Sequence, residues 1–442
     1  MARFLIVTTP WAGHINPALP IARKLVERSH EVWWYTGKGF QSKVEQTGAR
    51  FVPIRTGVDF SESNSMADYL RESSQKLKGL AQFKFNMKHY FADAAVGQVK
   101  DCTAILQEFP ANVILSDLSF FGAGWIYEQG GPPWAVFGIT ALTISSPETA
   151  PFGLGLPPDA SVLGRLRNGF LNRVFQKALF RDVDAYINQI RINIGLPPYQ
   201  QHFLDACVSP FLYLQGTVPT FEYPRSNLPP QVHFIGPFLP EPPADFTPPI
   251  WWDDLNCGKP VIHVTQGTVS TEADDLIVPT IQALADEDVL VVATTGGESI
   301  ENIKLASVPA NARIEKFLPH YHFLPHVDVM VTNGGYNGVH VALANGVPLV
   351  GAGQTEEKPE ICTRIEWSGV GINLKTKTPT LMQIKNAVKK LLSSPHYRIN
   401  AERLKAEIAR YDAPTLAATL LEQLAATKQP VLSKTQGEFP PL

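Results

Sequence analysis

His14 stands just behind a short apolar run, Phe4–Thr8, in the segment Trp11-Ala12-Gly13-His14-Ile15-Asn16-Pro17. Such a run reads as a buried strand, and Pro17 suits the first turn of a following helix. The histidine therefore falls where a strand hands over to a helix. Imidazole titrates near neutrality, which suits a general base that strips a proton from a hydroxyl. A helix N-cap or a packed surface residue is the other use of a histidine there. Asp117 ends a second run, Val113–Ser116. A carboxylate bonded to one ring nitrogen of His14 fixes the tautomer and stabilises the imidazolium; the alternative is an N-cap for a helix over 119–128. A third feature lies in the last third of the chain, where Val329–Thr332 breaks into Asn333-Gly334-Gly335-Tyr336-Asn337-Gly338. A glycine-rich strand-to-helix turn exposes backbone N–H groups at the positive end of a helix, a seat for phosphate.

Other chemistries lose support. Neither half carries GxGxxG after its first strand, nor GxxxxGK[ST], which removes most of the case for a nicotinamide dehydrogenase or a P-loop NTPase. Net charge is −3 with no long basic run, so a nucleic-acid footprint is absent. Cys102, Cys207, Cys257 and Cys362 show no paired spacing, which argues against a disulfide framework or a zinc site. The first apolar run stops at Pro10, too short for a signal peptide or a membrane span, and points to a cytoplasmic protein.

The elements that must position these residues alternate between strand and helix. Phe4–Thr8, Glu31–Thr36 and Phe51–Ile54 read as strands, with helices over Pro17–Arg28 and Phe40–Gln46 between them. Val113–Ser116 and Trp134–Phe137 read as further strands. That rhythm predicts an α/β domain with a parallel sheet. Irregular segments at 60–110 and 143–166 interrupt it, and either line a ligand cleft or decorate the domain. The stretch Gly236–Pro249 holds six prolines in fourteen residues and reads as a stiff, solvent-facing linker. A second alternation begins after it, with strands at Val261–Thr265, Val289–Ala293, Arg313–Phe317, Val329–Thr332, Pro348–Val350 and Gly369–Leu374. Helices are expected over 380–393 and 397–425. The domains are expected at 1–238 and 253–425, with a linker over 239–252 and a loosely held tail from 426 to 442. Two Rossmann-like domains facing each other place a cleft between their strand carboxyl ends.

Gly13-His14-Ile15-Asn16-Pro17 resembles the GH(I/V)NP signature of the family-1 glycosyltransferases, the macrolide-type and UDP-glycosyltransferase relatives with the GT-B fold. The second half resembles the same family from about Thr265 to Leu374. Phe317-Leu318-Pro319-His320 is similar to its Trp-x-Pro-Gln donor motif, Asn333–Asn337 to its phosphate segment, Gly346-Val347-Pro348 to its GVP, and Glu357-Lys358 to its Asp/Glu-Gln pair. The resemblance implies an inverting, metal-independent enzyme without a cofactor. It would move a sugar from a nucleotide-sugar co-substrate to a hydroxyl of a small apolar acceptor. It implies His14 as base and Asp117 as its partner. On the donor side it implies Gly13, Gln266, Gly267, Thr268, Phe317, Leu318, Asn333, Gly334, Gly335, Asn337, Gly338, Glu357 and Lys358. Phe317 would stack on the nucleobase, the glycine turn would hold the diphosphate, and Glu357 would reach donor-sugar hydroxyls.

The chain departs from the family's pattern at three of these places. The phosphate-binding His is Asn333, the ribose-binding Glu falls on Val341, and Lys358 replaces Gln. His340 is then either a substitute ribose contact or a packing residue. A UDP-sugar, UDP-glucose first, is the expected donor; loss of the ribose grip leaves a dTDP-sugar as the alternative. Aromatic residues at Phe83, Phe85 and Tyr90, with Met87, are expected to line the acceptor side. A GT-B-fold epimerase or hydrolase and a non-catalytic auxiliary protein remain as other readings. The amphipathic stretch near 175–193 is expected to pack rather than to insert in a membrane. Acceptor identity and oligomeric state are not legible.

Overall fold

The computed structural model describes residues 1–240, 245–267 and 273–433. The first sheet has seven parallel strands in the order β3-β2-β1-β4-β5-β6-β7. These are β1 Arg3–Val7, β2 Glu31–Thr36, β3 Arg50–Pro53, β4 Val113–Asp117, β5 Trp134–Gly138, β6 Leu212–Gln215 and β7 Val232–Phe234. The register sets Phe4 against Val32 on one side and Val113 on the other. Helices cover both faces, so these strands read as continuous apolar runs rather than alternating ones. Phe4 to Val7 and Val113 to Leu115 are fully buried. Trp34 is buried as well, and its indole N–H donates to Thr8 Oγ1 at 2.9 Å.

The second sheet is parallel and six-stranded, in the order β10-β9-β8-β11-β12-β13. It comprises β8 Val261–Thr265, β9 Leu290–Thr294, β10 Ala312–Glu315, β11 Val329–Thr332, β12 Leu349–Gly351 and β13 Gly371–Asn373. Each sheet has one point where strand order reverses, between β1 and β4 in the first and between β8 and β11 in the second. Open α/β sheets bind ligands outside the strand ends at such points. The segments after β1, β8 and β11 carry His14, Gln266 and Asn333, and Asp117 closes β4.

Two expectations from sequence need correction. Residues 397–425 do not all belong to the second domain. Pro395–Ile408 packs there, but the chain then crosses back, and helix Ala413–Thr427 lies against the first sheet. Its Ala413, Ala417, Leu421 and Leu424 share a core with Phe4, Ile21 and Leu115, and Glu422 pairs with Arg28 and His30. That helix supplies a layer of the first domain that no earlier segment fills. The tail is also anchored as far as Ser433: Val431 is buried and its N–H donates to the Phe211 carbonyl at 2.8 Å. Past Ala244 the linker is largely solvent-facing, as expected, with Asp245, Thr247, Pro248 and Ile250 exposed, and it is pinned where Phe246 stacks on His322 and Trp251 donates to Glu315. The short strands β6 and β7 were not legible in sequence.

The domains touch through buried polar groups. Gln215 Nε2 donates to the Tyr336 hydroxyl at 2.7 Å, and Thr217 Oγ1 lies 2.6 Å from His340 Nε2. Beside them Glu222 binds Arg225 of its own domain and Arg364 of the other, and Arg364 also holds Glu360 at 3.0 Å. Glu360 in turn accepts from the Gly153 and Gly155 N–H groups of the first domain, both at 2.9 Å. Among the described residues no helix is long and apolar enough to cross a membrane.

Candidate active site

Trp11 enters the turn after β1 with extended backbone, and the short helix Ala12–Ile15 then presents His14. His14 Nδ1 lies 2.9 Å from Asp117 Oδ1. The carboxylate is otherwise saturated: Oδ2 accepts from the Thr9 N–H at 2.7 Å, and Oδ1 from the Ser119 N–H at 2.8 Å and from the Thr9 hydroxyl at 3.3 Å. An ionised carboxylate only accepts, so Nδ1 is the donor and the Nε2 lone pair is left as acceptor. The His14 side chain keeps 14% of its surface exposed while Asp117 keeps none. Asp117 does not cap a helix: the next one starts at Gly122, five residues on, without a side-chain cap.

Aromatic rings surround this pair. Trp11 lies 5.4 Å from His14, stacks on Phe60, and meets Tyr90 and Phe91. A narrow hollow next to it is lined by Ile54, Val58, Phe60, Tyr90 and Phe120 over a polar floor of Thr9, Tyr35 and Gln98. Burial and the neighbouring Cys102 and Asp101 push the Tyr35 phenol far above its ordinary value. It stays protonated and donates to Asp101 at 2.9 Å, which removes it as a second base. Of the expected acceptor residues, Tyr90 lines the hollow and Phe85 stands behind it. Phe83 and Met87 do not: four residues apart, they share the helix face that packs into the domain core, with Phe83 edge-on to Phe180. Phe83 and Phe85, two residues apart, lie on opposite sides of the helix, and the π-helical turn over Met87–Ala92 then keeps Tyr90 on the side of Phe85. Trp11 and Phe60 were missed, although an aromatic two residues before Gly13-His14 was a visible cue.

On the donor side the loops after β8, β11 and β12 close on each other. Asn333 Nδ2 donates to the Gln266 carbonyl, so one amide hydrogen is spent on joining two loops. Gln266 is buried and its Oε1 accepts from the Ile277 N–H. Gly267 and Gly334 have positive φ, at 73° and 86°. A Cβ on Gly334 would meet Cys362 Sγ at 2.7 Å, and one on Gly353 would meet the Asn333 carbonyl oxygen at 2.0 Å. Helix Tyr336–Ala344 begins at Gly335 without a side-chain cap, so its first-turn N–H groups, Asn337 and Gly338 among them, face outward with the positive end of the helix. Thr268 lies outside the described residues.

Three donor-side expectations change. His340 is buried and bonded at both ring nitrogens, to Thr217 and to the Tyr336 carbonyl, and burial pushes its pKa down to about 4. It is a neutral domain-interface residue, not a ribose contact. Leu318 is buried in the second domain's core, so only the neighbouring Phe317, 67% exposed, offers a ring face to the cleft. Lys358 is buried and held by Glu356 at 2.7 Å and by Thr355. Glu356 itself sits at φ 56°, a strained conformation for a residue with a Cβ. That turn delivers Glu357 to the head of helix Lys358–Trp367. Burial and Glu356 raise the Glu357 carboxyl above its ordinary range; Lys358 opposes them, and so does His14 from across the cleft. The two domains thus bring His14 and Glu357 within electrostatic reach.

The interface quartet Glu222, Arg225, Glu360 and Arg364 was also missed. Its spacings, three and four residues apart, are those of ordinary surface pairs, and only burial distinguishes it. Burial alone would raise the Glu222 carboxyl, yet Arg364 and Arg225 hold it down to about 2.

Two Rossmann-like sheets, a histidine–aspartate pair at one switch point and a glycine-rich turn ahead of a helix at the other fit a GT-B glycosyltransferase. The chain belongs to the family-1 GT-B glycosyltransferases. The model of the glycosyltransferase family 28 N-terminal domain matches residues 6–114, and that of the erythromycin biosynthesis protein CIII-like C-terminal domain matches residues 279–424. The chain is 47% identical to 4'-demethylrebeccamycin synthase of Lentzea aerocolonigenes over 96% of this chain and 99% of that one. It is 34% identical to UDP-glycosyltransferase 2 of Phaeomoniella chlamydospora over 96% and 95%. The crystal structure of the glycosyltransferase of kitacinnamycin superposes with a TM-score of 0.72, at 21% identity, over 96% of this chain and 98% of that one.

Proposed function

We propose that this glycosyltransferase inverts: it moves a sugar from a nucleoside-diphosphate sugar to a hydroxyl of a small apolar acceptor, with His14 as general base. The observation that carries this reading is the His14 Nδ1–Asp117 bond of 2.9 Å, which leaves Nε2 as acceptor beside an aromatic-lined hollow. Nε2 takes the hydroxyl proton as the acceptor oxygen forms its bond to the anomeric carbon. The bond from that carbon to the diphosphate breaks on the opposite face, and the nucleoside diphosphate leaves. Charge growing on the leaving group is met by the N–H groups of the Tyr336–Ala344 helix end, while Asp117 stabilises the imidazolium. Glu357 is placed to accept from donor-sugar hydroxyls, and Phe317 to lie along the base. In this reading the acceptor lies against Trp11, Phe60 and Tyr90, whose rings pack together beside His14.

UDP-glucose is the first donor to test, in line with the name of the fungal relative. A dTDP-sugar is favoured by one observation: Val341 is buried in the core where the family's ribose grip falls. The four free cysteines suit a reducing, cytoplasmic setting. The test measures nucleoside diphosphate release from UDP- and dTDP-sugars with pooled phenolic and macrolide acceptors. Acceptor-dependent release supports transfer. Release without acceptor points to a hydrolase, and no release from any donor defeats the enzymatic reading.

A further inference from the structure

Helix Val162–Val174 is amphipathic in the wrong sense for a helix that only packs. Ser161 caps it, its side chain accepting from the Gly164 N–H at 3.0 Å. Gly164 and Asn168 face the protein, and Asn168 Nδ2 and Asn172 Nδ2 donate to the Pro147 and Thr149 carbonyls. The opposite face is apolar and open. Val162 is 76% exposed, Leu163 79%, Leu166 66% and Phe170 68%. Single exposed apolar residues are ordinary, but four large ones along one helical ridge are not.

The ridge has a charge pattern. Val162, Leu166 and Phe170 follow one another at a spacing of four residues, and the series continues through exposed Arg173, Lys177 and Arg181. Arg165 and Arg167 border the apolar part. No Asp or Glu occurs from Ser161 to Arg181, although the chain as a whole carries a net charge of −3. Arg165 pairs with Glu148; among the described residues Arg173, Lys177 and Arg181 meet no carboxylate. An apolar ridge flanked by cations is complementary to an anionic lipid surface: the ridge enters the acyl boundary and the long basic side chains reach the headgroups. A second copy docked row to row would set five further cations against the carboxylates of Glu148 and Asp159, which already face Arg165 and Arg167.

We propose that the Val162–Arg181 segment is a peripheral docking surface for anionic membranes. It is independent of the catalytic reading, because none of the ridge residues is among those assigned to the base or the donor site. The test is co-sedimentation of the full chain with vesicles of phosphatidylcholine alone and of phosphatidylcholine mixed equally with phosphatidylglycerol. The expected result is binding to the mixed vesicles only, released as salt rises. The double variant Leu166→Asp/Phe170→Asp should lose at least about tenfold in partitioning. Each of Arg173→Gln and Lys177→Gln should cost about fivefold on mixed vesicles. All these side chains are exposed, so unchanged circular dichroism and unchanged turnover on a water-soluble acceptor show that the fold is intact. A wild-type chain that stays in the supernatant with mixed vesicles overturns the proposal, as does a double variant that binds like wild type. A wild-type dimer that the double variant dissociates, without vesicle binding, assigns the ridge to a second copy instead.

Discussion

The two walls of the cleft are assembled by opposite means. On the first domain the proposed reactive group is a side-chain pair: His14 and Asp117 come from two distant segments, and the Thr9 and Ser119 N–H groups steady the carboxylate between them. On the second domain the proposed phosphate seat is backbone: glycine turns and an uncapped helix end form it, while the polar side chains nearby are largely spent on other protein groups. A wall built from side chains fails by losing a functional group. A wall built from backbone fails by losing space.

The largest expected effect follows from the first wall. His14→Ala should lower turnover by about a hundredfold to ten-thousandfold and leave donor affinity, read by calorimetry, unchanged. Asp117→Asn should lower turnover less, because the imidazole remains but its tautomer is no longer dictated. Near-wild-type turnover in the His14 variant would remove the base assignment.

Between the walls lies the buried quartet. Arg364→Met leaves Glu222 with Arg225 alone and takes the guanidinium from Glu360 inside the protein, and removing one partner of such a pair costs about 3–5 kcal/mol. Thermal denaturation should show this as a clear fall in Tm. The double variant Glu222→Gln/Arg364→Met should recover part of it, and a double variant no better than the single would contradict a paired-charge origin.

The second wall predicts opposite behaviour for two glycines of one turn. Gly334→Ala combines positive φ with a Cβ 2.7 Å from Cys362 Sγ, an overpacking cost of about 1–3 kcal/mol, and should weaken donor binding. At Gly338, inside the helix with nothing nearer than 3.9 Å, alanine should be neutral or stabilise by about 0.5–1 kcal/mol.

The smallest effect is a pH dependence. The folded-state Glu357 carboxyl is raised by burial and by Glu356. The folded state therefore holds this proton more tightly than the unfolded one, and stability falls as pH rises from the ordinary Glu value through the raised one. Glu357→Gln should raise Tm at neutral pH, with the gain vanishing below about pH 4, while transfer declines. An unchanged Tm difference across that range would show that the carboxyl is not perturbed.

Much of this was legible in the sequence for identifiable reasons. β1, β4, β8 and β11 are apolar runs buried on both faces, so hydrophobicity alone marks them, and the residues that close them fall at the sheet edges. Phe83 and Met87 misled because a helix of mixed aromatic content does not reveal which face is inside. His340 misled because a histidine near a phosphate turn looks the same whether it faces a ligand or Thr217.

The sequence by itself determined two Rossmann-like halves, the strand-end positions of His14, Asp117 and the glycine turn, and their order along the chain, because these follow from local periodicity and turn chemistry. Tertiary structure alone decided which side chains were free to act. It spent Asn333 and His340 on contacts between loops and domains and Lys358 on its own turn, carried Ala413–Thr427 back to the first sheet, and buried Glu222 with Arg364. Partners so far apart in sequence leave no periodic trace, and only desolvation of a closed interface turns ordinary-looking charges into fixed structure.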